Sequence, residues 1–317
     1  MSRFIVVRLS HAAIILCLVT VLVFVIAQLI PGDAILASMG ASVDLSDRSM
    51  VDRVRAQYGL DRPILVQFFV WLGKFLTGDW GTSLGTGENV LDMFVRRLPV
   101  TLELFLGATF WSVSIGIPAG FVGALKRNSI TDVVVTTGTL LGVSIPAYWE
   151  AIVLIYLFAV VIPIFPPSGY VPFTEDPWLN LKAMVLPTFV LGTHSAGLLA
   201  RYVRSSLLEV LSQDYIRTAR AKGLSERSVI ALHAVKPAMI PIVTVLGLTW
   251  AHLLAGAFFI EVIFALPGLG RMSLDAIFQK DFPVIQATLI AVSLNVLIIN
   301  VLVDLLYGVL DPRVRVR

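Results

Sequence analysis

The sequence predicts an all-α, polytopic membrane protein with six transmembrane helices. Three observations carry this: 57% of the 317 residues are hydrophobic, only 14% are charged, and the apolar residues gather in long runs. Soluble chains carry about a quarter of their residues as charges. A mean hydropathy of +0.88 makes lipid the better solvent. The bilayer core, about 30 Å thick, needs roughly 20 apolar residues in helix, because every backbone group must be satisfied within the segment.

Six runs meet that requirement: Ser10 to Ile30, Val100 to Leu125, Val133 to Ile164, Leu181 to Leu199, Ala238 to Leu266 and Val284 to Leu310. They divide the chain into residues 1–30, with the N-terminal end and first span; 31–99, an external segment; and 100–317, a five-helix core with a polar segment at 204–237. Arg3 and Arg8 ahead of the first run look like the start of a secretory signal. The run from Ala12 to Ile30 is long enough to span, however, and Pro31-Gly32-Asp33 stands where a cleavage sequence would, so a retained signal-anchor helix is expected. Cys17 is the single cysteine, which excludes an intrachain disulfide, a cysteine zinc set and an iron–sulfur site.

In the external segment Met50, Val51, Val54 and Tyr58 fall at helical spacing, predicting an amphipathic helix that ends at Gly59. After Pro63, Leu65 to Leu76 is too short to span and reads as a helix on the membrane surface or against the bundle. Gly78-Asp79-Trp80-Gly81 through Gly87 is a glycine-rich turn region. The third run is overlong and contains Ser144-Ile145-Pro146, which predicts a kink or break near mid-membrane. Such a break either lines a cavity or is a tolerated kink, and both readings stay open.

Lys126 and Arg127 sit in one short loop, and Arg201, Arg204, Arg217, Arg220, Lys222, Arg227 and Lys236 crowd another, so both loops are expected in the cytoplasm. The stretch from Pro166 to Trp178 has Glu175 and Asp176 but no basic residue and is expected outside. An even number of spans then puts both termini in the cytoplasm. Between the fourth and fifth spans, Asp214 to Lys222 reads as a helix, Gly223 as its left-handed end, and Ser225 with Glu226 as the cap of a second helix. Ala219 and Ala221 keep the first helix thin enough for a partner backbone to approach, while Arg217, Arg220 and Lys222 offer charge-assisted contacts. Composition alone favours an ordinary amphipathic loop whose positive charges satisfy the orientation rule and touch anionic headgroups.

The run Asp214-Tyr215-Ile216-Arg217-Thr218-Ala219-Arg220-Ala221-Lys222-Gly223-Leu224 resembles the coupling segment of permeases in the dipeptide, oligopeptide and nickel branch of ABC importers. The wider superfamily reads Glu-Ala-Ala, three residues, Gly, then Ile-x-Leu-Pro. Here Arg217 and Thr218 replace the Glu and first Ala, Ala219 and Gly223 are kept, and His233-Ala234-Val235-Lys236 stands later. The peptide branch shares these departures, so no glutamate role carries over. Further resemblances run through the chain: Leu29-Ile30-Pro31-Gly32-Asp33, with Ala34 where a second proline is common; Tyr58-Gly59-Leu60-Asp61-Arg62-Pro63; Gly78 to Ser83; and Arg97 to Leu102. Leu266 to Arg271, Asp281 to Gln286, Asp304 to Tyr307 and Leu310 to Arg315 come after them in order.

The resemblance implies that Asp214, Tyr215, Arg217, Thr218, Ala219, Arg220, Lys222, Gly223 and Leu224 form a coupling helix seated in a cleft of an ATPase subunit. It also implies a half-channel paired with a second, homologous permease, two ATPase subunits beneath, and an external binding protein delivering di- or oligopeptides. Glutathione, nickel chelates and oligosaccharides are alternative cargoes. Neither a catalytic nor a metal site is expected, nor a cofactor in this chain, with ATP and magnesium on the partner subunits. Gly73-Lys74 lacks the earlier glycine and the hydroxyl of a phosphate loop. A secondary transporter would need repeated halves, and an intramembrane enzyme a His-Glu-x-x-His or Gly-x-Ser-x-Gly motif; the sequence offers neither. Pro267 to Arg271 predicts a tight reversal, and Met272 to Phe278 reads either as a short helix at the outer surface, able to receive a substrate-binding protein, or as part of a simple hairpin between spans. Glu103, Glu150, His194, His252, Glu261, Asn295, Asn300 and Asp304 are costly in lipid and are pathway candidates. For the four acids, placement at a span end is the rival reading; for the His and Asn residues, it is interhelical hydrogen bonding.

Overall fold

The structure is a computed structural model that describes residues 2–29 and 62–310. The expected helix at Met50 to Gly59, Pro31-Gly32-Asp33, the Tyr58 to Asp61 turn and the Asp311 to Arg315 end lie outside the described residues, as does the side chain of Asp304. The helices are α1 (Ser2–Leu29), α2 (Ile64–Leu76), α3 (Val90–Leu125), α4 (Ile130–Ser144), α5 (Ala147–Ile155), α6 (Pro177–Leu211), α7 (Asp214–Ala221), α8 (Glu226–Ser228), α9 (Val235–Ile263), α10 (Leu269–Gln279) and α11 (Phe282–Leu310). Single π-helical stretches extend α5 through Tyr156–Val161 and join α8 to α9 through Val229–Ala234.

Among the described residues, five helices are long and apolar enough to cross a membrane: α1, α3, α6, α9 and α11. A sixth span exists if α4 and the α5 stretch count as one, and these meet at 99°. The break comes from Pro146. It has no N–H to continue the helix, and it drives Ile145 into an extended conformation with ψ 124°. The expected kink is therefore a full bend.

The chain forms two compact units. The first comprises residues 1–9, 100–267 and 298–317, and its axis is α6. Asp176 starts α6, accepting hydrogen bonds from the backbone N–H groups of Trp178 and Leu179 at 3.0 Å, with Pro177 preset at the first helical position. Of its most apolar stretch 72% is buried, against 17% for α1, so α6 is enclosed by protein on most sides.

Close approach explains the enclosure. A Cβ on Gly116 would lie 2.8 Å from the Ala196 carbonyl oxygen, and one on Gly120 would lie 2.6 Å from that of Ala200. The Gly-x-x-x-Gly pair of α3 thus lets its backbone meet α6, as small residues do in lipid, where packing rather than hydrophobicity holds helices together. On another face of α6, Gly197 admits the Thr139 carbonyl oxygen of α4, which a Cβ would approach to 2.6 Å.

The second unit comprises residues 10–99 and 268–297. Short helix α2 packs on α1 through aromatic contacts, Phe24 with Phe68 at 5.3 Å and with Trp71 at 5.5 Å. The turn region after it stacks Trp80 on Phe75, centroids 4.7 Å apart. Gly78, Gly81 and Gly87 all take positive φ there. Val90, Met93, Leu269, Met272, Ala276, Val284 and Ala287 form a common core, so α10 is a packed element rather than a loop helix. Asp281 is buried beside that core. It accepts Ser83 Oγ at 2.5 Å and the Gly85 N–H at 3.2 Å, and its other oxygen faces the Val284 N–H at the start of α11.

Candidate functional site

The polar stretch between α6 and α9 is built on apolar contacts inside the first unit. Ile216 and Ala219 of α7 are buried with Ala124, Leu207, Val229, Ala234 and Ala238. Burying an isoleucine contributes about 1.5–3 kcal/mol, enough to seat a helix of only eight residues. Ala219, expected to leave room for a partner, uses its small size inward, against the chain's own core.

The opposite face is exposed: Tyr215, Arg217, Thr218, Ala221 and Lys222 project from the seat, and Leu224 lies beyond the turn. Gly223 adopts φ +82° and donates its N–H to the Arg220 carbonyl at 2.9 Å, the expected left-handed end. Ser225 Oγ accepts the Ser228 N–H at 3.4 Å, capping the single turn of α8. The second helix is shorter than expected: α8 passes within a few residues into a π-helical stretch, and that into α9.

Arg220 spans this elbow. Its Nε donates to Glu226 Oε2 at 3.0 Å and its Nη2 to Oε1 at 2.6 Å. The hydrogen bonds from Arg220 hold the Glu226 carboxyl below the usual carboxylate range, and Glu226 in turn raises the Arg220 guanidinium. Arg220 therefore spends its charge within the chain. Arg217 makes only a loose, exposed contact with Asp214 at 3.5 Å, so it and Lys222 carry the outward positive charge of α7.

The polar residues within the spans divide by partner. Glu261 is completely buried and accepts Thr101 Oγ1 at 2.6 Å. Glu103 accepts Tyr170 Oη at 3.1 Å and Asn180 Nδ2 at 3.0 Å. Burial, then the charge and hydrogen bond of Glu103, push the Tyr170 phenol up to about 12, so it stays a donor. Glu150, just past the bend, accepts Thr193 Oγ1 at 2.9 Å. His252 and Asn295 turn back to carbonyls of their own helices, at Leu248 and Ala291, instead of bridging helices. His194 and Asn300 are exposed. Among the described residues no three His, Cys, Asp or Glu side chains gather as a metal site would require.

One pair lies outside the expectations from sequence. Arg204, assigned by composition to the polar loop, lies on α6, which continues to Leu211 rather than ending at Leu199. It meets the buried carboxylate of Asp132 in a two-bond fork, Nε to Oδ1 and Nη2 to Oδ2, both 2.8 Å. Two signals in the sequence point there: Leu199, Val203 and Leu207 continue the helical spacing, and Ser129 precedes Asp132 by the distance of a capping residue.

Known proteins share both the sequence and the architecture. Residues 116–316 match the family described as binding-protein-dependent transport system inner membrane component, and residues 1–105 match the N-terminal part of such membrane components. A Brucella abortus protein provisionally named a peptide transport system permease is 42% identical over 317 residues, with 99% of each chain covered. The dipeptide transport system permease protein DppB of Escherichia coli K12 is 39% identical, with 94% of each chain covered. The di/tripeptide transport system permease protein DppB of Pseudomonas aeruginosa is likewise 39% identical, with 94% of each covered. Among solved structures, a chain of the MetNI methionine ABC transporter in an inward facing conformation shares the fold. Its TM-score is 0.57 and its identity 20%, over 69% of this chain and 96% of that one.

Fold and family matches together define a multi-pass membrane transport subunit. The chain belongs to the binding-protein-dependent transport system inner membrane components, the permeases of ABC importers, and within them to the peptide-permease family. It is a transport component of the inner membrane, not itself an enzyme.

Proposed function

We propose that this permease forms half of a translocation pathway for di- and oligopeptides, driven through α7 by an ATPase subunit. The observation that carries this reading is the two-sidedness of α7: Ile216 and Ala219 are seated in the chain's own core while Tyr215, Arg217, Thr218 and Lys222 stand free of it. A helix fixed on one side and bare on the other passes displacement from a partner into α6 and α9. Asp214, Ala219, Arg220 and Gly223 shape that handle, and Leu224 extends it beyond the turn. The peptide cargo rests on the names of the relatives.

In this reading a second homologous permease completes the pathway, two ATPase subunits bind ATP and magnesium beneath, and an external binding protein delivers the peptide. The basic face of α7 and both termini lie in the cytoplasm in this reading, which the distribution of Arg and Lys supports. ATP-driven closure of the ATPases tilts α7 and changes which side of the membrane the cavity faces.

The test is reconstitution of the purified complex in vesicles with its binding protein. Binding protein loaded with a dipeptide or oligopeptide is expected to stimulate ATP hydrolysis and drive uptake, and Gly223→Val to uncouple the two. Stimulation only by glutathione, a nickel chelate or an oligosaccharide would transfer the machinery to that cargo. Undiminished uptake per ATP in the Gly223→Val complex would remove the coupling role from α7.

A further inference from the structure

We infer that Asp132 and Arg204 form a positioning latch that makes the bent pair α4–α5 move with the seat of α7. The inference rests on the coupling reading of α7 above, and extends it to a pair that lies outside the coupling motif.

The geometry is that of a fastened joint. Asp132 is buried and receives four donors: Arg204 Nε and Nη2 at 2.8 Å each, the Asn128 N–H at 3.0 Å and Thr136 Oγ1 at 3.4 Å. Asn128 reaches this position through a left-handed backbone, φ 62°. Gly123 keeps the space open, since a Cβ there would lie 3.2 Å from Arg204 Cδ.

Both ends of the joint lead to the α7 seat. On α6, Arg204 precedes Leu207, a buried member of the core that holds Ile216. On the other side, Asn128 comes after Ala124, another member of that core, by a few residues of tight loop. Farther along α6, Gly197 meets the Thr139 backbone of α4, and Thr193 bonds Glu150 past the 99° bend. The broken span is thus tied to α6 on both sides of its break.

Apolar contact between α4 and α6 is not directional in itself. A two-bond arginine–carboxylate fork fixes distance and orientation together. Lysine offers a point charge without the fork, so Arg204→Lys keeps the charge and removes the fixed geometry.

The experiment uses the full reconstituted complex. For Arg204→Lys the expected result is ATP hydrolysis within about twofold of the parent with uptake per ATP reduced about tenfold, a coupling loss of the usual allosteric size. Unchanged uptake per ATP, or hydrolysis and uptake falling together in proportion, would overturn the latch. A second measurement leaves the pair intact: spin labels at Ile130→Cys and Arg201→Cys, both exposed, in a Cys17→Ser background. Their separation is expected to stay constant between nucleotide-free and ATP-bound states, and a change approaching one helical turn, about 5 Å, would overturn the inference. If Gly223→Val uncouples and Arg204→Lys does not, the latch alone fails. If neither uncouples, the coupling reading fails.

Discussion

Arg220 reaches across the left-handed turn at Gly223 and closes on the carboxylate of Glu226 with both of its parallel donors, so the elbow after α7 is braced from within the chain. This brace changes the role of one basic residue in the segment: Arg220 shapes the handle, and Arg217 and Lys222 present its charge.

The brace is exposed, 40% at Arg220 and 55% at Glu226, so solvent screens it and Glu226→Gln should cost less than about 1 kcal/mol of global stability. The expected effect is local, namely faster trypsin cleavage after Arg220 and Lys222 with little change in melting temperature. The pH dependence has a definite sign. The folded Glu226 carboxyl sits below its ordinary value, so its contribution is present above the unfolded value, about 4.3, and is lost as pH falls through the lower folded one. Cleavage of the parent should therefore be independent of this pair between about pH 5 and 8.

Gly223 stands in open space, with nothing within 4 Å of the point a Cβ would occupy, yet its φ is +82°. Substitution there costs backbone energy alone, about 1–2 kcal/mol for most residues and less for Asn, which tolerates this conformation. In detergent, Gly223→Asn should melt closer to the parent than Gly223→Val. Equal melting of the two would mean that the backbone relaxes out of the left-handed region.

Two glycines predict opposite outcomes for the same change. Gly120→Ala places a Cβ 2.5 Å from Val203 Cβ and 2.6 Å from the Ala200 carbonyl, so α3 and α6 must part, at about 1–3 kcal/mol. Gly138→Ala meets nothing within 4 Å and gains about 1 kcal/mol of helix propensity. Thermal melting of the two purified variants separates them.

Asp281→Ala removes the acceptor of Ser83 Oγ and the Gly85 N–H and the start of α11 together. Leaving a buried donor unsatisfied costs about 1–3 kcal/mol. The turn region near Gly85 should become sensitive to protease before the bundle melts. Ser83→Ala, which leaves the Gly85 contact and the helix start in place, should show a smaller form of the same change.

By itself the sequence determined the features set by length and by local backbone chemistry. Apolar runs too long for a soluble core give spans, because lipid offers no partner for a bare amide. Pro146 breaks a helix because it lacks a donor, and Gly223 ends one because it has no Cβ. The short helix α2 is legible from spacing and flanking turns in the same way, whereas the sequence of α10 fits a plain hairpin equally well and its packing decides for a helix. Only the tertiary structure decided which way Ala219 points and that Arg204 closes on Asp132. The charge of Arg204 reads as a loop until Asp132 arrives from 72 residues away to neutralise it. The spacing of Leu199, Val203 and Leu207 carries a helix past Leu199, but nothing local pairs its arginine with that carboxylate; the fork exists because the fold brings the two groups together and so lets Asp132 be buried.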